Sequence, residues 1–365
     1  MVRWRRGTVV EVVRRWTGTV ELVVAVDDAA TSVRALAFPE LVGEPEVGDE
    51  VLLTTSALER GLGTGGFAMV AAVPGRLPVT AEDADEAEPG HLVKARYTPL
   101  QAMVLGVDEQ ESPHHEVLRD ADDLAGMPVV VADLHSALPA VVAGLRTVAP
   151  HARVAYVMTD GGALPAWFSR TVDELRAAGW IDGCVSVGQA FGGDVEAVTV
   201  HTGLLAARLV MGADVAVVAQ GPGNLGTGTR WGFSGVAAGE AVNAAAVLNG
   251  RPVASLRVSQ ADARERHLGV SHHSLTAYGR VALAPSDVVV PLLGGELGER
   301  VRRQAAVLGA PTGRHRLVEV DCDGLLAALR AAPVRLSTMG RGLDEDAAAF
   351  VAAASSGVHA ARLIS

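Results

Sequence analysis

The chain has 365 residues, of which 49% are hydrophobic, and a formal net charge of -11. Its length exceeds a usual single core and makes two domains the expectation; the negative charge argues against a general nucleic-acid binder, and no apolar run approaches the roughly 20 residues that span a bilayer. Lys94 is the only lysine, so a Walker A loop or a Schiff-base amine would each have to use it, and both classes recede.

The first sixteen residues, "MVRWRRGTVVEVVRRW", hold Arg3, Arg5, Arg6, Arg14 and Arg15 with Trp4 and Trp16 between them. They contain no apolar signal core, which makes a cytoplasmic location the expectation. The arginines read either as a partner-binding face or as the solvated side of a barrel. Residues 7 to 73 break into five β-type runs, "TVVEVV", "TVELVVAV", "SVRALAFP", "DEVLLTT" and "FAMVAAV", and predict a small β-barrel domain over 1–77. The "GLGTGG" before Phe67 fits a hairpin loop. An acidic stretch with two prolines follows, 78–90, and is expected as a linker.

From His91 the pattern changes to short apolar runs alternating with amphipathic ones, which predicts a Rossmann-like α/β domain with a mostly parallel sheet over 91–365. The strand candidates are "MPVVVADL", "ARVAYVMTD", "IDGCVSVG", "ADVAVVAQ", "RPVASLRVS", "SDVVVPLL" and "HRLVEVDC". Helical runs lie between them, "VEAVTVHTGLLAARLVMG" among them, and Pro139 and Pro165 stand where helices could start. Cys184 and Cys322 lie in separate β-like runs without metal or redox spacing and read as core thiols.

In such a sheet, ligands bind in the crevice at the carboxyl ends of the strands, so the loops after strands carry the candidates. The stretch "QGPGNLGTGTRWGFSG" follows an apolar run and formally contains GxGxxG at Gly221, Gly223 and Gly226. A dinucleotide fingerprint would open a helix at once and place an acidic residue at the next strand end. Here the loop runs on to Ser234, and the next strand ends in Ser259 and Gln260. What remains is an anion cradle: bare backbone at Gly221, Gly223, Gly226 and Gly228, with Asn224, Thr227, Thr229, Arg230 and Ser234 to complete it. The alternative is a glycine loop needed only for close packing, anchored by Trp231 and Phe233.

The next loop, "SQADARERHLGVSHHSL", gathers Arg264 and Arg266 as anion holders and His267, His272 and His273. Ser271 is placed as an N-cap, which puts His272 and His273 in a first helical turn as neutral imidazoles suited to acid–base work. His135 is expected to join the ligand-binding set and Asp160 the catalytic one. No metal site is expected, because these residues sit on separate loops without an HExxH-like spacing.

Together with "RVSQADARERHLGVSHHSLTAYGRVAL" and "MTDGGALP", the glycine stretch resembles an uncharacterised bacterial domain-of-unknown-function family, number thirty-eight sixty-six of its series, over nearly the whole chain. The resemblance implies no activity and identifies no cofactor. The function expected is binding of a small anionic metabolite, phosphate- or carboxylate-bearing, nucleotide-like molecules included, at the C-terminal rim of the sheet, with or without catalysis by histidine. The alternative is a regulatory or scaffold protein whose barrel binds a partner. The partner expected is a small anionic molecule rather than nucleic acid or membrane, and a homodimer is compatible with the sequence.

Overall fold

The computed structural model describes residues 1–27, 31–76 and 90–364, so the expected linker lies outside the described residues apart from Gly90. The described residues divide into two compact units, Met1–Pro89 with Ala95–Met103, and Gly90–Lys94 with Val104–Ser365.

In the first unit the five β-type runs form a closed barrel of β1 (Trp4–Trp16), β2 (Thr19–Val26), β3 (Ser32–Ala37), β4 (Glu50–Thr54) and β5 (Ala68–Ala72). The long β1 pairs antiparallel with both β2 and β4, and irregularities at Val9/Glu11 and Val12/Arg14 give it the bend that closure requires. Alternate side chains, including Val20, Leu22, Val24, Val51, Leu53 and Val70, fill the interior. The five N-terminal arginines are each matched by an acid: Arg3 and Arg5 by Glu59, Arg6 by Glu50, Arg14 by Glu21 and Arg15 by Glu44.

In the second unit eight strands form one all-parallel sheet. They are β6 (Pro128–Val131), β7 (Val154–Thr159), β8 (Gly183–Ser186), β9 (Val195–Glu196), β10 (Val215–Gln220), β11 (Arg251–Ser255), β12 (Asp287–Leu292) and β13 (Arg316–Asp321). Their order is β9-β8-β7-β10-β6-β11-β12-β13. This is the expected barrel followed by a Rossmann-like α/β sheet. Burial on both faces explains why the strands read as unbroken apolar runs. Val129, Val131, Val157, Val218 and Val288 point into one core, while Val130, Tyr156, Met158, Val217 and Val289 point into the other. Among the described residues no helix is long and apolar enough to cross a membrane.

One helical run begins later than the sequence suggests. Val195 and Glu196 pair with Val185 and Ser186 as the edge strand β9, and the helix occupies only Val200–Leu209. Thr199 sets that start, because its hydroxyl accepts from the amide of Thr202 at 3.2 Å. Of the two prolines, Pro139 lies in the first turn of the helix Leu138–Val148, whereas Pro165 precedes a short 3-10 turn, Ala166–Phe168, and the α-helix there starts only at Arg170.

The helices Leu138–Val148 and Ala347–Arg362 cover one face of the sheet and meet backbone to backbone. A Cβ on Gly144 would lie 1.9 Å from the carbonyl oxygen of Ala354, and one on Gly357 would lie 1.8 Å from that of Val141. Alanine at 357 should gain up to about 1 kcal/mol of helix propensity. A methyl pressed on a carbonyl cannot rotate away, however, and overpacking of this kind costs about 1–3 kcal/mol. Gly357→Ala is therefore expected to lower the denaturation midpoint; an unchanged or higher midpoint would show that the two helices part freely.

Candidate functional site

The connections out of the sheet converge at one place. The chain runs outward through β7, β8 and β9, returns to insert β10 between β7 and β6, and then crosses to β11 on the far side of β6. This reversal is a topological switch point, and the loops after β6, β10 and β11 gather around it. A small cleft opens there, with Asp133 and Ser136 from the β6 loop, Arg257 and Ser259 from the β11 loop, and Thr338 and Arg341 from the segment before the last helix in its walls. The loops after β10 and β11, consecutive in sequence, are not neighbours in the sheet; the β6 loop stands between them and joins them. Gln220 donates from Nε2 to the carbonyl oxygen of Asp133 at 2.6 Å, and Arg257 Nη1 lies 3.7 Å from Asp133 Oδ2.

Charges in the walls are paired unevenly. Asp346 is fully buried and accepts from Ser259 Oγ at 2.6 Å, from the Gln260 amide at 2.9 Å and from Arg341 Nε at 3.0 Å. Arg264 grips Asp262 with Nε at 2.9 Å and Nη2 at 2.8 Å, and its guanidinium holds that carboxyl well below the usual range. Arg257 has no such partner. Its side chain is 10% exposed, and among the described residues its one side-chain hydrogen bond goes from Nη1 to His273 Nδ1 at 3.1 Å. Asp133 Oδ2, Gln220 Oε1 and His272 Nε2 are buried with no hydrogen-bond partner among the described residues. Orphaned buried groups of this kind are rare and each costs on the order of 1–3 kcal/mol.

The histidines pack beside this wall. Ser271 caps the short helix His272–Thr276 by accepting from the His273 amide at 3.2 Å, and its Oγ lies 2.8 Å from His267 Nδ1. The ring centroids of His267 stand 4.9 Å from those of both His272 and His273, which are 4.4 Å from each other. Phe233, at the end of the glycine stretch, lies flat on His273 with 3.7 Å between centroids and 3° between planes. Burial first, then the charges of Arg257 and Arg264, push His267 down to about 3; burial, His273 and then Arg266 push His272 down to about 4. Both rings are neutral near pH 7.

The rest of the glycine stretch divides into two parts. Gly221 and Gly223 serve close packing: the Gly162 amide donates to the Gly223 carbonyl at 2.6 Å, and a Cβ on Gly161 would lie 2.4 Å from the Gly221 carbonyl oxygen. Asn224 to Ser234 form an exposed, self-bonded hairpin. Its bonds include Thr227 amide to Gly232 carbonyl at 2.7 Å, Leu225 amide to Ser234 Oγ at 3.0 Å and Ser234 Oγ to Asn224 Oδ1 at 3.2 Å, with Gly226 bridging Phe233. The hydroxyls of Thr227 and Thr229 lie 3.1 Å apart and turn to Gly232 of their own loop. Arg230 is exposed, with no hydrogen bond or ion pair among the described residues, and Arg266 Nη2 lies 3.5 Å from where a Cβ on Gly228 would stand.

Two candidates, and the lone lysine, have structural partners. Asp160 Oδ1 accepts from the amides of Gln189 and Ala190, both at 2.8 Å, and pins that turn. His135 has both ring nitrogens engaged, with the Tyr156 hydroxyl at 3.0 Å and Ser169 Oγ at 2.7 Å. Lys94 is buried, donating to the carbonyls of Ala190 at 2.8 Å and Ala197 at 3.0 Å. Sequence reasoning passed over Arg257, Arg341 and Asp346. For Arg257 a signal existed, a charge just after the apolar part of "RPVASLRVS".

A family model described as "Protein of unknown function (DUF3866)" matches residues 34–357, a span that takes in both the barrel from β3 onward and nearly all of the sheet unit. The chain belongs to this family. No curated protein matches it. In this DUF3866 chain the family match thus includes every cleft and cluster residue named above.

Burial pushes His135 down to about 4, against about 6.5 in an unfolded chain. The folded form therefore binds fewer protons, and the stability this gives is complete above pH 6.5 and lost as pH falls toward 4. Denaturant titrations between pH 7 and 4.5 are expected to show a shallower loss in His135→Gln than in the native protein, by at most about 1.4 kcal/mol per pH unit. Equal slopes would mean that His135 titrates normally in the fold.

Proposed function

We propose that the protein binds a small anionic metabolite, phosphate- or carboxylate-bearing, in the switch-point cleft between the ends of β6 and β11. Arg257 carries this reading. A guanidinium has five N–H donors, and here one of them meets His273 Nδ1 while the nearest carboxylate oxygen stays 3.7 Å away. An arginine left with spare donors in a cleft wall is the side chain suited to bidentate capture of an oxyanion. Ser136 and Thr338, whose hydroxyls lie 2.9 Å apart, offer further polar contacts in the same cleft. Arg266 adds positive charge beside His272, with no carboxylate partner among the described residues. Of His272, His273 and Asp160, His272 has a buried ring nitrogen with no hydrogen-bond partner among the described residues, which supports a ligand-facing role for it over one for Asp160.

The rival reading, a scaffold whose barrel binds a partner, has less support, because the arginines that suggested it are already matched by glutamates.

The test is a thermal-shift screen of nucleotides, sugar phosphates and carboxylic acids on the native protein and on Arg257→Gln. A ligand that binds only the folded state raises the midpoint by mass action. Loss of a charged hydrogen bond, about 1.5–3 kcal/mol, should weaken binding roughly 10- to 100-fold in the variant. An anion that stabilises both proteins equally would place the site elsewhere.

A further inference from the structure

His267, His272 and His273 each offer a ring nitrogen, and these three atoms all lie within 4.8 Å of one another. No carboxylate hydrogen-bonds the rings among the described residues, and the three nitrogens are close enough to share one ion. Around that space each ring is backed differently. His267 Nδ1 is held by Ser271 Oγ at 2.8 Å, which leaves Nε2 as its free nitrogen. His272 Nε2 is buried and has no partner among the described residues. His273 Nδ1 lies 3.1 Å from Arg257 Nη1 and 3.7 Å from Asp133 Oδ2, itself a buried oxygen without a hydrogen bond.

Metal-binding histidines nearly always use one nitrogen for the ion and donate the other N–H to a hydroxyl, carbonyl or carboxylate that fixes the ring. Ser271 and Asp133 stand where such acceptors are needed. If His273 binds through Nε2, its Nδ1 becomes a donor, which releases Arg257 Nη1 from it and leaves Asp133 Oδ2, 3.7 Å away, as the acceptor that a small turn of the ring would reach. We propose that His267, His272 and His273 form a three-histidine site for a divalent transition metal of the zinc class, with Ser271 and Asp133 orienting the rings.

The distances are compatible. Zinc–nitrogen bonds of 2.0–2.1 Å in a tetrahedron set nitrogens about 3.4 Å apart, so the rings must close by about 1.4 Å at most. Three imidazoles select zinc, cobalt, nickel or copper and offer nothing to magnesium or calcium, which take oxygen ligands. Metal binding requires deprotonated rings, and three arginines stand around these. The same arginines oppose a bare dication. Arg257, Arg264 and Arg266 all bear on these rings, offset in part by Asp133 and Asp262. The ion is therefore held best with an anion in its fourth position, where a phosphate or carboxylate would answer both the metal and the guanidinium groups. This anion half rests on the cleft reading above; the three-histidine half does not.

The experiment uses the full chain, untagged and stripped with chelator, in a buffer free of phosphate and carboxylate. Cobalt(II) titration is expected to reach one equivalent with the intense visible bands of tetrahedral nitrogen coordination, and zinc to displace it. His272→Gln and His267→Gln should each weaken zinc by more than 100-fold, and Asp133→Asn by about 10- to 100-fold. Magnesium should not bind. His272 Nε2 holds nothing in the fold, so the His272→Gln protein should remain folded by circular dichroism. Inorganic phosphate should tighten zinc in the native protein and not in Arg257→Gln. Less than one equivalent of cobalt on the native chain, or undiminished zinc affinity in His272→Gln, overturns the metal site. Zinc binding that ignores phosphate leaves the metal site standing and overturns its anion partner alone.

Discussion

Strand β6 is hydrogen-bonded on both edges, to β10 and to β11, and all four of its residues are buried. Everything at the cleft depends on that double pairing. It carries the chain end-on to Asp133, with the β10 loop reached through the Asp133 carbonyl and the β11 loop reached through its carboxylate. Val129, Val130 and Val131 lock the strand from both cores, and full burial of such a side chain contributes about 1.5–3 kcal/mol. The position of one carboxylate is thus set by the hydrophobic interior beneath it.

The barrel and the sheet were legible in the sequence because both rest on local pattern: alternation in β2 and β4, and unbroken apolar runs in β6, β7 and β10. The edge strand β9 was not, since two residues carry no period and its pairing with β8 is made at a distance in chain. Strand order was equally out of reach. The insertion of β10 between β6 and β7 is made by pairings distant in the chain, and it separated two loops that the sequence made neighbours.

The site was legible as a set of loops and illegible as a set of free groups. Arg264 and Arg257 look equivalent in the sequence. One is chelated by Asp262 two residues away, and the other keeps spare donors. Thr227 and Thr229 suggested a cradle, yet their hydroxyls close the hairpin that bears them. Asp160 and His135 were found where the strand ends predict, but with their polar atoms already bonded. The histidine cluster shows the converse. His267 is four residues before Ser271, and the short ladder strand Gly269–Val270, with a left-handed φ of 72° at Gly269, lies between it and His272 and His273.

The flat contact of Phe233 on His273 ties together two residues forty positions apart that no hydrogen bond connects directly. A stack at 3.7 Å has no slack: a bulkier ring at 273 lifts the hairpin off its support, and an aliphatic residue at 233 uncovers the imidazole. Across the DUF3866 family these two positions should therefore change together or not at all. The exposed tip from Leu225 to Arg230 carries no such constraint and should drift in both length and composition.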